Sequence, residues 1–216
     1  MNLTLYTSLG SGNAYKVELF LRLLRLPYET RAVNLRANEN LSTAFLARNR
    51  FGQIPVLVDG DLVLTDSHAI LLYLAGRYAE YTPHAWAPLD PLCLARVVRW
   101  LSVSANEIQN GLAMPRAIKL LGWPLSYEQA VRTGYRILKI MDDHLSDREW
   151  LALKHATIAD LACYPYVALA AEGGVDTSSF GHVCRWLERV EAIPGFWPMP
   201  RIPNLPTVPL VTVPTE

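Results

Sequence analysis

Two places in the first third of this 216-residue chain have the residue types to hold an anion or a thiolate. A helix N-terminus carries free N–H groups and partial positive charge, so it binds anions and stabilises thiolates. One such start is expected near Asn13, behind the loop Gly10-Ser11-Gly12. The other is expected at Asp66-Ser67, directly after a strand. Between them lies Phe51-Gly52-Gln53-Ile54-Pro55-Val56, where a proline that can be cis opens a strand. The backbone ahead of that proline could pair with an extended peptide ligand, as in strand addition. Taken singly, a glycine-serine loop, a helix cap and an Ile-Pro strand opening are each ordinary. Their order and spacing make the case together.

The elements that must position these residues alternate between strand and helix. Leu3 to Tyr6 reads as a strand, Thr7 to Gly12 as a loop and Asn13 to Arg25 as a helix, with Ala14, Val17, Leu21 and Leu24 on one stripe. Pro27 ends that helix and Tyr28 to Val33 reads as a second strand. A short helix over Thr43 to Ala47 is capped by Ser42. Pro55 to Val58 and Leu62 to Leu64 flank Asp59-Gly60-Asp61, and an Asp-Gly between two apolar runs signals a hairpin. A helix from Ser67 to about Tyr78 completes a β-α-β-α-β-β-α order.

Residues 80–89 hold Pro83 and Pro88 among small and aromatic residues and read as a linker, and everything after them looks helical. Asp90-Pro91 starts a helix that passes Trp100 and is kinked or ended by Pro115. Ser126 and Gln129 form a capping-box signal for a helix to about Leu145. Thr157 and Asp160 give the same signal for a helix stopped by Gly173-Gly174. A last helix covers His182 to Ala192. Asp142-Asp143-His144 reads as a solvated corner. The tail, residues 201–216, carries prolines at 203, 206, 209 and 214 and is expected to be extended and packed along a surface.

Composition removes several classes. Twenty basic and twenty acidic side chains cancel, and no Lys/Arg run stands out. That argues against nucleic acid and against an anionic membrane as partners. The N-terminus lacks the basic region and apolar run of a signal peptide. Cys93, Cys163 and Cys184 are widely spaced and odd in number, which implies no disulfide framework and fits a reducing, cytoplasmic compartment. The five histidines show no metal-ligand spacing, so no metal is expected.

The run Asn49 to Ala75, NRFGQIPVLVDGDLVLTDSHAILLYLA, resembles the glutathione-binding segment of cytosolic glutathione S-transferases. The opening LYTSLGSGNAYKVELFLRLLRLPYE is similar to the first βαβ unit of their serine-type bacterial, theta and zeta members. ATIADLACYPYVALAAEGG resembles the family's C-terminal capping-box helix, and RWLERVEAIPGF its last helix. The likeness runs from residue 1 to about 200. It implies an α/β thioredoxin-like N-terminal domain over residues 1–79 and an all-α C-terminal domain over 90–200. It also implies glutathione as co-substrate, a small electrophile as second substrate and a homodimer.

The resemblance implies a role for each matching position. Ser11 would hydrogen-bond the glutathione sulfur. Ile54 would pair its backbone with the cysteinyl part, with Pro55 as the cis proline. Asp66 and Ser67 would hold the γ-glutamyl amine and carboxylate. Gln53 stands where many relatives carry lysine, so a hydrogen bond replaces a charge toward the glycyl carboxylate. Asn13 matches an asparagine of a subgroup that reduces disulfides with glutathione. Tyr6 and then Ser8 are rivals to Ser11. No cysteine occupies the loop and there is no Cys-x-x-Cys, which disfavours a glutaredoxin-like or thioredoxin mechanism. The second substrate is expected between the domains, with Leu9 facing Asn106, Gln109, Asn110 and Ala113 at helical spacing. The activity implied is glutathione transfer. A glutathione-dependent disulfide reductase and a non-enzymatic binding or regulatory module are the alternatives.

Overall fold

The computed structural model describes residues 3–78, 80 and 85–200. The expected tail, residues 201–216, and most of the first half of the linker lie outside the described residues. The chain divides into two compact units. The first runs to Ala87 and takes back the segment that begins at Pro194; the second runs from Pro88 to Ile193. Residues 194–200 therefore join the first unit rather than the helices with which the sequence grouped them.

In the first unit, β1 (Leu3–Thr7), α1 (Gly12–Leu23) and β2 (Tyr28–Ala32) form a β-α-β unit. Then come two 3-10 turns, α2 (Thr43–Leu46), the hairpin β3 (Val56–Asp59) and β4 (Leu62–Thr65), and α3 (Ser67–Arg77). The sheet order is β2-β1-β3-β4, with β1 parallel to β2 and antiparallel to β3. A parallel pair needs a crossover, and α1 supplies it. Alternation along β1 buries Leu3 and Leu5. Tyr6 packs instead with Val33, Phe45, Val56 and Ile54. Helix α1 stops two residues short of the expected Arg25, because Arg25 adopts a left-handed conformation, φ 53°. Asp59 ties the hairpin to α3 by accepting hydrogen bonds from Tyr73 Oη at 2.8 Å and Tyr78 Oη at 2.7 Å.

The second unit is helical: α4 (Pro91–Val103), α5 (Met114–Leu121), α6 (Tyr127–His144), α7 (Ile158–Ala168) and α8 (Gly181–Glu191). Between α4 and α5 the chain winds as a π-helix over Ser104–Ala113, which the sequence did not signal. Pro115 does not end this rod, which continues as α5, but the winding changes from π to α directly before it. It sits in the first turn of α5. Gly111 lies against Gly134 of α6 so closely that a Cβ on Gly111 would come within 2.7 Å of the Gly134 nitrogen. The expected solvated corner is also corrected. Asp142 Oδ1 accepts from His182 N at 2.7 Å and Val183 N at 3.0 Å, closing the start of α8, while His144 is half-buried against Trp100. Helix α7 ends at Ala168, and a 3-10 turn continues to Gly173 before Gly174 closes it in the left-handed region.

The capping box at Thr157 and Asp160 holds more than its own helix. Asp160 is fully buried, with four donors on it: Leu151 N and Trp186 Nε1 on Oδ1, both at 3.0 Å, and Thr157 N and Oγ1 on Oδ2 at 2.9 and 3.2 Å. Burial pushes its carboxyl above the ordinary aspartate range, and the four donors pull it back. Removing it leaves a set of buried donors without an acceptor. Asp160→Ala is expected to cost about 3–5 kcal/mol. The check is a lower urea midpoint at unchanged slope.

Candidate functional site

The loop before α1 is built by a turn. Ser11 N donates to Ser8 O at 3.1 Å, and Gly10, with φ 82°, occupies the position where a type II turn requires positive φ. Leu9 stands at the corner of that turn, 60% exposed. Ser11 caps α1: its Oγ accepts from Ala14 N at 3.2 Å. A hydroxyl has one proton and two lone pairs, so accepting one bond leaves the proton to donate. Ser11 is thus a half-buried donor at the positive end of a 12-residue helix.

Behind it sits a side chain that the sequence reading passed over. Lys16 is buried, 1% exposed, and its Nζ donates to Asn13 Oδ1 at 2.8 Å. The same Nζ lies 3.1 Å from His68 Nε2, in the first turn of α3. Asn13 has its oxygen occupied and no other partner among the described residues, so its NH₂ group is left to donate. A lysine three residues after an asparagine, on the helix that follows the Ser11 loop, was the available signal; its link to His68 was not visible, being 52 residues away.

Asp66 caps α3, with Oδ1 accepting from His68 N at 2.9 Å and Ala69 N at 3.0 Å, while Oδ2 has no partner among the described residues. Its backbone stands at φ 69°, ψ 125°, a sparsely populated region that costs roughly 1–3 kcal/mol for a residue with a Cβ. Ser67 follows as the first helical residue and is buried. The Ile54–Pro55 bond is cis. Neither the N–H nor the C=O of Ile54 has a hydrogen-bond partner among the described residues. Gln53 is exposed, and its carbonyl accepts from buried Asn49 Nδ2 at 2.7 Å. Gly52 must be glycine: its φ is +61°, and a Cβ would come within 2.9 Å of Leu41.

The rival Tyr6 is committed to packing, its ring edge-on to Phe45 at 6.2 Å and under the Arg48 guanidinium at 5.3 Å. Ser8 accepts from Ser11 N through its carbonyl. In the second unit, the set Asn106, Gln109, Asn110 and Ala113 does not hold together as one polar face. All four lie in the π segment, whose i→i+5 winding breaks the α spacing that grouped them. Asn106 and Asn110 are exposed and bonded to each other at 2.9 Å, Gln109 is half-buried, and Ala113 is buried. A cavity of about 230 Å³ touches the Ser11 loop, walled by Tyr15, Glu18, Thr30, Trp197 and Met199; Ile54, Asp66 and Ser67 do not line it.

Residues 1–76 match the family model of the glutathione S-transferase N-terminal domain, and residues 120–194 that of the C-terminal domain. Glutathione S-transferase theta-1 of Bos taurus is 32% identical over 205 residues, covering 90% of this chain and 85% of the bovine protein. The chain belongs to the glutathione S-transferase family. Among solved structures of that family, a possible glutathione S-transferase from Rhodopseudomonas palustris superposes with a TM-score of 0.84 at 32% identity, covering 93% of this chain and 99% of that one. A glutathione transferase from Pseudomonas putida, solved with one glutathione disulfide per subunit, gives a TM-score of 0.78 at 26% identity, with 90% and 88% covered.

The Lys16–His68 contact has a pH consequence. Burial first, and the Lys16 charge second, push the His68 imidazole down to about 4, with Asp66 pulling it up. An unfolded histidine titrates near about 6.5, so the folded state resists protonation. The stability this site contributes is complete above about pH 6.5 and is lost as pH falls toward about 4, a swing of roughly 3 kcal/mol. His68→Gln is expected to flatten that acid limb. Urea unfolding at several pH values measures the slope; an equally steep loss in the variant would assign the acid limb to other groups.

Proposed function

We infer that this member of the family is a glutathione transferase, in which Ser11 stabilises the thiolate of bound glutathione for attack on a small electrophile. The observation that carries the reading is the Ser11 hydroxyl itself. It accepts from Ala14 N, and that leaves its proton for an acceptor at the start of α1. The other groups suit a γ-glutamyl peptide. The backbone of Ile54, without a hydrogen-bond partner among the described residues, fits strand-like pairing with the cysteinyl part. Asp66 Oδ2 fits the amine, and the α3 N-terminus at Ser67 fits the carboxylate. Gln53 is exposed and able to donate to the glycyl carboxylate.

Magnitudes agree with this division of labour. A thiol of pKa about 8.5 is roughly 3% ionised at neutral pH. Lowering it to about 6.5 needs roughly 2.7 kcal/mol of preference for the thiolate. One charge-accepting hydrogen bond contributes roughly 1.5–3 kcal/mol, and a helix N-terminus about 0.3–1 kcal/mol more. No general base is required.

A glutathione-dependent disulfide reductase is the second reading, favoured by one observation. Lys16 holds the Asn13 oxygen, so the amide presents an NH₂ donor in the same first turn as Ser11. Ser11→Ala is expected to raise the pKa of bound glutathione by about one to two units, each worth about 1.4 kcal/mol. Conjugation at neutral pH should fall and recover in part at higher pH. Ultraviolet titration of the bound thiolate is the measurement, and an unshifted thiol at wild-type rate removes Ser11 from the mechanism. In the same assays Asn13→Ala should depress disulfide reduction more than conjugation if the second reading holds.

We also place the enzyme in the cytoplasm as a homodimer. All three cysteines are free, which suits a reducing compartment. No helix among the described residues is long and apolar enough to cross a membrane. Leu62 and Val63 on β4, Phe51 before β3, and Leu92 and Val98 on α4 are exposed apolar side chains that a partner subunit would cover. Light scattering at micromolar concentration should give twice the chain mass of 24.2 kDa; a single chain mass would refute the dimer.

A further inference from the structure

The cavity of about 230 Å³ beside the Ser11 loop lies within the first unit. Of the groups assigned to glutathione, Ser11 alone lines it. A sulfur held at Ser11 would therefore reach the cavity, while the γ-glutamyl anchors lie outside it. Leu9, which the sequence set against the second substrate, stands on its wall. So do Tyr15, one turn beyond Ser11 on α1, and Trp197 and Met199 of the segment that begins at Pro194.

The aromatic wall is tied down. Trp197 O accepts from Tyr15 Oη at 2.6 Å, and the Trp197 ring lies under the Arg22 guanidinium at 4.0 Å. The Tyr15 and Trp197 rings stand 6.0 Å apart. Backbone and ring are thus both fixed to α1 before any ligand arrives, which spares the cost of ordering a loose side chain.

Charge in the cavity has one sign. Among the described residues that line it, Glu18 is acidic and none is Lys, Arg or His. Arg22 and Tyr28 Oη both donate to Glu18 Oε1, at 3.3 and 3.1 Å, and hold the carboxylate in place. An anionic group entering the cavity meets that carboxylate with no lining cation to offset it.

We propose that Trp197 is a specificity-determining residue for the electrophile, which enters this cavity as an uncharged group of one aromatic ring, and that Tyr15 and Arg22 are the positioning residues that hold Trp197 there. The proposal rests on the transferase reading. An apolar cavity of about 150 Å³ accepts benzene. One of about 230 Å³ takes a single ring with a substituent and excludes three fused rings. Trp197 offers that ring a stacking surface. A benzyl halide is the simplest member of the class. Its sulfur–carbon bond forms as the carbon–halogen bond breaks, and the halide leaves with the electron pair.

S-substituted glutathiones, titrated by calorimetry into the full chain, read the site without turnover. In the wild type, S-benzylglutathione should bind about ten-fold more tightly than S-methylglutathione. Trp197→Ala should cut that advantage to about three-fold or less, with affinity for glutathione itself unchanged. The para-carboxybenzyl conjugate should lack the advantage, and the anthrylmethyl conjugate should bind Trp197→Ala better than wild type. In turnover, the double variant Tyr15→Phe/Arg22→Gln should raise KM for benzyl chloride about three-fold. KM for glutathione and the pKa of its bound thiol should stay as they are, a split that a general loss of stability does not produce. Glutathione that fails to bind the wild type refutes the transferase reading and this proposal together. Glutathione that binds with no benzyl advantage, or with an advantage that survives Trp197→Ala, overturns the proposal alone. An unchanged KM for benzyl chloride in the double variant removes Tyr15 and Arg22 from it.

Discussion

The first unit is organised around one buried ammonium. Lys16 stands between the N-terminal turns of α1 and α3 and gives hydrogen to Asn13 of the one and His68 of the other. Two helix starts brought together with a cation between them concentrate positive potential, which is unfavourable unless polar acceptors and nearby negative charge meet it. Asn13 Oδ1 and the neutral His68 ring accept directly, and the Asp66 carboxylate caps α3 beside them. The packing of α1 on α3 rests on this interaction, and in the proposed reading it also underlies the site that would hold glutathione.

The second unit solves a different problem, that of bringing backbones close. The π segment meets α6 where Gly111 and Gly134 face each other with no room for a Cβ on either. Gly173 makes a similar approach to Arg116 N, beside the buried Arg116–Glu172 ion pair at 2.6 Å. Asp160 then ties α7 to the preceding chain at Leu151 and to Trp186 of α8. Side-chain volume and buried polar geometry, more than helix propensity, set this arrangement.

Elements announced by local chemistry were legible before any coordinates. The βαβαββα order, the Asp-Gly hairpin and the Ser42, Asp90, Ser126 and Thr157 caps all depend on residues within a few positions of each other. Features created by distant approach were not. Winding of Ser104–Ala113 as a π-helix has no short-range sequence signature, and the polar stripe drawn on α spacing came apart there. Nothing local to Lys16 announces its burial or its contact with His68 of α3. Asp142 looked like solvated surface until α8 arrived, 40 residues later, to be capped by it. For the candidate site, Asp66-Ser67 was legible as a helix start and Ile54-Pro55 as a bond that can be cis, whereas Ser11 rested on the resemblance and its capping role came from the structure. The cation beneath them was not legible.

The segment that begins at Pro194 gives the molecule a particular biography. Trp197 accepts from Tyr15 Oη at 2.6 Å and lies under the Arg22 guanidinium at 4.0 Å, across a separation of 182 residues for the first contact. A ribosome delivers the sheet and α1 first, then the whole helical unit, and only afterwards the strip that closes over α1. Domains commonly complete themselves in order of synthesis. Here the segment that closes over α1 is made only after the helical unit, so Tyr15 and Arg22 wait for their Trp197 contacts until that unit has been synthesised.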